Sequence, residues 1–243
     1  MVEPSVLAIS ILVILVAYTV KGFTGFGPAL ISVPLLSIFL DIKFVLPVVL
    51  LLDLVSSSII LWQERGKVQL RGALPILLFY VLGTLAGYFI LVSISASVLE
   101  AALGAFIIIF AIRIFLRKNT SKLSRRLDTY AKSAAGLGSG ILGSLFGTNG
   151  PPLVIYYSRT LEDKKQIRAA TAPFFVIDCL WRGGMYAFIG MFSASTFEFF
   201  GYLLIPLLIG VFIGSKLHLR VGKEAFTKAV ALILIIAGLR LLL

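Results

Sequence analysis

An almost continuous apolar sequence is interrupted by Lys21-Gly22-Phe23-Thr24-Gly25-Phe26-Gly27-Pro28-Ala29 and again by Gly143-Ser144-Leu145-Phe146-Gly147-Thr148-Asn149-Gly150-Pro151-Pro152. Each interruption places glycines, which adopt positive φ readily, directly before a proline, which is favoured at the first position of a helix. We therefore expect a helix end, an irregular stretch and a new helix start at both places. The segments that follow, 28–40 and 150–158, are too short to cross a core of about 30 Å as regular helices.

The composition indicates a membrane protein. Hydrophobic residues make up 59% of the 243 positions and charged residues 14%, whereas ordinary globular chains are about 45–50% apolar. Charge clusters, Gly and Pro divide the chain into ten apolar segments: 5–20, 28–40, 44–62, 73–92, 97–116, 131–147, 150–158, 171–191, 197–215 and 225–243. The predicted fold class is an all-α polytopic membrane protein with two short, broken or re-entrant helices. Whether the two short segments cross the membrane or fold back is left open.

The basic residues predict the topology. The 22 Lys and Arg residues exceed the 11 Asp and Glu residues, which gives a net charge of +11, and 17 of the 22 lie in four connectors. The connectors are 63–72, 113–132, 159–168 and 216–223. Because cytoplasmic loops are enriched in Lys and Arg, we expect these connectors in the cytoplasm and both termini outside the cell membrane. The positive charge is therefore interpreted as a topology signal and not as a nucleic-acid surface. Five basic residues remain in the segments and could meet an anionic cargo: Lys21, Lys43, Arg182, Lys228 and Arg240.

The first segment follows no basic stretch and no small-x-small cleavage motif, so we expect a retained membrane helix and not a signal peptide.

The two halves of the sequence share positions in the same order. Three sets of residues recur at offsets of 127, 125 and 123. They are Gly83 and Gly87 with Gly210 and Gly214, Lys43 and Asp53 with Arg168 and Asp178, and Gly27-Pro28 with Gly150-Pro151. A basic cytoplasmic loop, 117–132, separates a first membrane unit, 1–116, from a second, 133–243. Five segments per unit make the second copy enter from the opposite side, as in the inverted repeats of many secondary transporters. Coincidence among glycine-rich helices is the alternative.

The two interruptions also predict a binding site. Irregular backbone at membrane depth is tolerated only where protein or a water-filled cavity covers it. Two helix N-termini that converge there would offer unpaired N–H groups and partial positive charge, which favours a small anion. The candidate substrate-binding residues are Thr24, Gly25, Phe26, Gly27, Pro28, Thr148, Asn149, Gly150 and Pro151. Close helix packing by small residues is the alternative, and it is the preferred interpretation for Gly83, Gly87, Gly210 and Gly214.

Charged residues within the segments extend this site. Arg182 follows Asp178 by four residues, so the two share a helical face and can pair. The pair is either structural, or Arg182 contacts the anion while Asp178 carries protons or organises the site. Asp53 has no basic neighbour at helical spacing, and we expect an unpaired carboxylate that could load and unload a proton. Lys43 and Arg168 begin membrane helices, where they are either anchors at the interface or gating residues.

These residues carry a resemblance to a known family. The chain resembles the sulfite exporter TauE/SafE family of membrane permeases in Gly22-Phe23-Thr24-Gly25-Phe26-Gly27-Pro28, in Gly147-Thr148-Asn149-Gly150-Pro151-Pro152 and in Gln166-Ile167-Arg168-Ala169-Ala170-Thr171. The resemblance covers nearly the whole chain. It implies a cytoplasmic-membrane transporter of sulfur oxyanions or organosulfonates, usually an exporter.

Other functional classes find less support. One Cys and one His leave no thiolate cluster and no nucleophile–base pair, so we expect neither an enzyme nor a metal or organic cofactor. There is no Walker A pattern, which argues against direct use of ATP. An alternating-access exporter of a small sulfur-containing anion is the leading hypothesis, with proton coupling as an addition. An uptake permease, an anion channel and a homodimer are left open.

Overall fold

The computed structural model describes residues 3–65, 73–115, 125–161, 164–217, 232 and 235–242. These residues form helices and connecting turns, with no strand among them. The helices are α1 (Pro4–Thr24), α2 (Pro28–Leu36), α3 (Ile42–Glu64), α4 (Ala73–Ser93), α5 (Ala96–Phe115), α6 (Arg125–Phe146), α7 (Gly150–Thr160), α8 (Lys164–Phe188) and α9 (Ala194–Leu217). Residues 235–242 are also helical. The predicted all-α fold class is confirmed.

Two helices are short, as predicted. α2 has 9 residues and α7 has 11, which corresponds to lengths of about 14 and 16 Å. Each begins at the predicted position, directly after a glycine-rich interruption. Almost all of α2 is buried, so its shortness does not expose apolar surface.

Two helices begin earlier than predicted. α6 and α8 begin six and seven residues before the apolar segments expected at 131 and 171. Apolar runs mark where a helix enters hydrocarbon, whereas Lys, Arg and Gln are good helix formers that extend the helix into water. The predicted loop 117–132 therefore overlaps α6 from 125 onward, and 117–124 lie outside the described residues. Of the last predicted segment, 225–243, only 232 and 235–242 are described.

Several helices have the length and surface of membrane spans. Those that are long and apolar enough are Pro4–Thr24, Ile42–Glu64, Leu74–Ser93 and Ala194–Lys216. On α4, five large side chains on one stripe are exposed: Leu74, Leu78, Leu82, Leu85 and Phe89. An apolar stripe on the outside of a helix bundle suits contact with lipid and not with water. The architecture is that of a multi-pass membrane protein.

The largest helix pairs join the two halves of the chain. α1 packs along α9, α4 packs along α6, and α3 packs along α8. If α1–α5 and the helices from α6 onward were copies of one unit, α1 would correspond to α6, α3 to α8 and α4 to α9. The α1–α9 and α4–α6 pairs would then be equivalent. The α3–α8 pair would lie on the axis between the copies. The pairing fits an inverted repeat, which stays a prediction.

Glycine pairs bring the helices of the α1–α9 and α4–α6 contacts close together. A Cβ at Gly83 would overlap the carbonyl oxygen of Leu137 on α6, and a Cβ at Gly214 would overlap that of Thr19 on α1. The second glycine of each pair meets the same partner helix. Here the small side chain allows two backbones to touch, as in other membrane helix pairs. The predicted packing role of these glycines is confirmed.

We expect Gly214→Ala to destabilise the protein, because the added methyl group forces α1 and α9 apart. Overpacking of this kind costs about 1–3 kcal/mol. Gly201→Ala, on the same helix, is the control, since among the described residues no atom beyond the surrounding backbone of its own helix lies within 4 Å of a Cβ at that position. Thermal unfolding of the detergent-solubilised protein, followed by the loss of its size-exclusion peak, measures the difference. Equal melting temperatures for the two variants would show that the contact carries no stability.

Candidate functional site

Glycines in the left-handed region build both interruptions. Gly25 and Gly27 have φ of 86° and 85°, and Gly147 has φ of 70°. The N–H of Gly25 donates to the Lys21 carbonyl at 2.6 Å, which ends α1. Side chains other than glycine rarely adopt such φ values, so these turns depend on glycine. The predicted sequence of helix end, irregular stretch and helix start is confirmed.

Both interruptions face one cavity. Its wall includes 26–30 from the first interruption and 147–151 from the second. The interruptions also touch, because a Cβ at Gly150 would lie 3.3 Å from Cδ2 of Phe26. The two helix starts that were expected to converge therefore meet here. The rest of the wall comes from α1, α3 and α8 through Lys21, Asp53, Ser57, Phe175, Asp178 and Cys179.

Two polar side chains in the wall have unused hydrogen-bonding capacity. Thr148 is 2% exposed and Asn149 is 8% exposed. The Thr148 hydroxyl and the Asn149 amide nitrogen have no hydrogen-bond partner among the residues that the structure describes. Because a buried polar group without a partner costs about 1–3 kcal/mol, such groups call for a partner from outside the chain. Both can donate to an anion.

Thr24 has a different role from Thr148. Its hydroxyl is within 2.8 Å of the Val20 carbonyl and 2.7 Å of the Phe26 carbonyl, and the Phe26 N–H donates to it. Neither Thr24 nor Gly25 lines the cavity. Both residues therefore contribute to the backbone shape of the first interruption without forming part of the cavity wall.

The two helix starts are not equal as anion donors. Neither has a side-chain cap. α2 has one proline at its start, so Ala29 and Leu30, which line the cavity, keep their N–H groups. α7 starts Gly150-Pro151-Pro152, and proline has no N–H. The α2 start therefore offers more of the backbone donors that a bound anion needs.

Asp53 is paired, so the prediction of an unpaired carboxylate is wrong. The Lys21 ammonium lies 2.9 Å from Oδ1 of Asp53, and the Tyr18 hydroxyl donates to the same oxygen at 3.1 Å. Both partners come from α1, which is more than thirty residues away in sequence. Helical spacing detects only partners on the same helix, which is why the pair was missed. Asp53 is 7% exposed and lines the cavity.

The predicted pair of Asp178 and Arg182 is confirmed. Arg182 Nε lies 2.7 Å from Oδ1 and Nη2 lies 2.6 Å from Oδ2. Nη1 donates to the Gly143 carbonyl at 3.1 Å, and the Tyr80 hydroxyl donates to Asp178. Arg182 is 1% exposed and does not line the cavity, whereas Asp178 does. The carboxylate of Asp178 thus lies between the cavity and the guanidinium of Arg182.

The other two predicted charged residues lie away from the cavity wall. Arg168 joins α8 to the first half: Nη1 donates to the Gly22 carbonyl at 2.9 Å, Nη2 donates to Gln63 at 2.7 Å, and Nε lies 3.3 Å from Glu64. Lys43 donates to the Ile94 carbonyl at 3.0 Å, a contact within its own half. The two residues, which the predicted repeat places at matching positions, therefore make different kinds of contact.

The cavity contains side chains that the sequence did not single out. The sequence placed Lys21 only in the set of five basic residues within the segments. No pattern in the sequence indicated Ser57, Phe175 or Cys179 as site residues. Ser57 lies one turn after Asp53, so a search for polar residues on the face of Asp53 would have found it. Among the described residues, no three or more His, Cys, Asp and Glu side chains come together as a metal site.

Comparison with known proteins identifies a family. The family model described as "Sulfite exporter TauE/SafE" matches residues 10–241. Searches of curated proteins and of solved structures give no significant match.

We expect Arg182→Met to destabilise the protein by about 3–5 kcal/mol, because it leaves Asp178 as a buried charge without its counter-ion. The double variant Asp178→Asn/Arg182→Met should recover much of that loss. Lys132→Met is the matched control, since its i,i+4 pair with Asp128 is partly exposed and such pairs contribute about 0–1 kcal/mol. Thermal unfolding in detergent compares the three. A double variant no more stable than Arg182→Met would show that the pair is not the cause.

Proposed function

The chain belongs to the sulfite exporter TauE/SafE family, and we propose that it is a secondary transporter that exports a small sulfur-containing anion, such as sulfite or an organosulfonate. The family is one of membrane transporters of sulfite and related sulfur anions. Export and alternating access are the parts that we add. The description of the family supports export. The cavity supports an anion site with alternating access, because two broken helices meet there and two buried donors have no partner among the described residues.

The donors suit oxygens of an oxyanion. The Thr148 hydroxyl, the Asn149 amide and the N–H groups at the start of α2 all donate hydrogen bonds, and none of them carries a full charge. Neutral donors bind an anion without holding it too tightly for release. Sulfite and sulfonates each present three oxygens in a compact group, which a few convergent donors can reach.

The charge balance also favours an anion over a cation. The carboxylates of Asp53 and Asp178 are matched by Lys21 and Arg182, so the four groups sum to zero. A cation would find both carboxylates already paired. An anion would find free donors and an ammonium in the wall.

We propose that the site is exposed alternately to the two sides by movement of one inverted unit, 1–116, against the other, 133–243. The α1–α9 and α4–α6 contacts would be the surfaces that adjust. α2 and α7 are short and start at the cavity. They therefore leave less protein between the site and each side of the membrane than a full-length membrane helix would.

Arg168 supports a gate on the side of the basic loops. Its side chain links α8 of the second unit to the ends of α1 and α3 of the first. It also packs over Gly25, where a Cβ would lie 2.9 Å from Cγ of Arg168. Lys43 makes no such bridge between the units. We propose that Arg168 holds the predicted cytoplasmic side closed.

Flux into liposomes tests the function. The purified protein should move sulfite or methanesulfonate down a concentration gradient at a rate that saturates, and inside-out and right-side-out vesicles should distinguish export from uptake. Planar-bilayer recording separates a carrier from a channel, which would pass resolvable single-channel currents. Movement of a cation or neutral solute, with no movement of these anions, would contradict the proposal.

Thr148→Val should weaken anion binding roughly tenfold or more, because a hydrogen bond to a charged group contributes about 1.5–3 kcal/mol. The change keeps the shape of the side chain and removes only the hydroxyl. Thr171→Val is the control: this buried threonine donates to its own helix, to the Ile167 carbonyl, and does not line the cavity. Concentration dependence of flux gives both affinities. Unchanged affinity in Thr148→Val would show that the Thr148 hydroxyl does not bind the anion.

Arg168→Gln should make the cavity easier to reach from the side of the basic loops. Cys179 is the single cysteine of the sequence and lines the cavity, so a thiol reagent reports access directly. We expect faster modification of Cys179 in inside-out vesicles of Arg168→Gln than of wild type. Arg65→Gln, which changes an exposed basic residue stacked on Trp62, is the control. Equal rates in all three proteins would contradict the gate.

A further inference from the structure

The Lys21–Asp53 pair differs from the Asp178–Arg182 pair in what holds it. The three donors of the Lys21 ammonium go to one helix, α3: Asp53 Oδ1 at 2.9 Å, the Asp53 carbonyl at 3.3 Å and Ser57 Oγ at 2.8 Å. Lys21 itself is on α1 and is 2% exposed. The pair therefore bridges two helices, and a shift between them can open it.

The second pair cannot open in that way. Asp178 and Arg182 are both on α8, and the guanidinium binds both carboxylate oxygens. A planar bidentate contact of this kind is more rigid than one made by a lysine ammonium. A movement between helices therefore does not by itself separate Arg182 from Asp178.

The predicted repeat matches the residues of the two pairs, but the cation and the serine have exchanged positions between the halves. The offset of 123 at the interruptions relates Lys21 to Ser144, and the offset of 125 around the aspartates relates Ser57 to Arg182. Each half thus has one aspartate, one cation and one serine, but the cation is on α1 in the first half and on α8 in the second. Only the first arrangement places the cation in the cavity wall.

We propose that Lys21 is the residue that binds the negative charge of the substrate, and that Asp53 competes with the substrate for it. This rests on the proposed transport function. The anion binds the Lys21 ammonium in place of the Asp53 carboxylate. Asp53 is then left without its counter-ion and accepts a proton. Anion affinity should therefore rise as the pH falls. The groups that face the pair are Tyr18 from α1, Ser57 from α3, and Asp178 with Cys179 from α8, with Arg182 behind Asp178; α2 contributes no ionisable side chain.

Equilibrium binding of radiolabelled methanesulfonate and sulfite, measured across a pH series, tests the proposal. A sulfonate remains anionic throughout, so its pH dependence reports the protein. Wild type should bind more tightly at lower pH. Asp53→Asn should bind at least as tightly as wild type at neutral pH and lose the pH dependence, while Lys21→Met should bind at least about tenfold more weakly.

A neutral double variant separates substrate binding from simple neutralisation of Asp53. Lys21→Met/Asp53→Asn removes both charges of the pair and places no new cation in the cavity wall. It should fold as judged by size exclusion, and still bind methanesulfonate and sulfite weakly. If it bound like wild type, Lys21 would be only a counter-ion and the inference would be wrong.

The outcomes also distinguish this inference from the proposed function. Weaker binding in Thr148→Val, together with unchanged binding in Lys21→Met and an unchanged pH profile in Asp53→Asn, would overturn the role of Lys21 and leave the transport site intact. Wild type that binds neither anion would overturn both. Where Lys21→Met does not fold, the pH profile of Asp53→Asn decides alone: a profile like that of wild type contradicts the competition.

Discussion

The constraint on which the structure depends is that broken helices inside an apolar bundle must have their backbone covered by protein or by a cavity. Hydrocarbon offers no hydrogen-bond partners, so an interruption facing lipid would leave N–H and carbonyl groups unpaired. Here the two interruptions cover one another, with Phe26 against Gly150, and they share one cavity. The positions of α1, α3 and α8 around that cavity follow from this requirement.

A second constraint follows from placing charge in the same region. Buried carboxylates are tolerated when each has a counter-ion and further hydrogen bonds, and both aspartates meet that condition with a cation and a tyrosine hydroxyl. The protein thereby keeps two ion pairs beside a cavity, while the neutral donors of Thr148 and Asn149 have no partner in the part of the chain that the structure describes. Under the proposed function, the neutral donors would contact the oxygens of the anion, and the Lys21–Asp53 pair, which bridges two helices, would be the ion pair that opens to it.

How far the sequence predicts this arrangement depends on the range of each interaction. The interruptions, the short helices and the Asp178–Arg182 pair follow from residues within one turn or one segment of each other, and all were predicted. The partner of Asp53 was not, because Lys21 lies 32 residues away and only helix packing brings them together. Thr24 and Thr148 occupy similar motifs, yet the Thr24 hydroxyl bonds to its own interruption, while the Thr148 hydroxyl meets no hydrogen-bond partner among the described residues. That difference depends on local backbone geometry that composition does not encode.

The differences between the two halves bear on how a repeat can work as a carrier. Two identical half-sites would respond identically to an anion, and its binding would then favour neither orientation. In this protein one ion pair bridges helices and lines the cavity, while the other is confined to α8. Likewise Arg168 bridges the two halves, while Lys43 stays within one. A ligand shifts a conformational equilibrium only through unequal interactions with the two states. If the two halves move against each other as proposed, the residues that differ between them, with Lys21 and Arg168 foremost, are therefore those through which substrate binding would be coupled to movement.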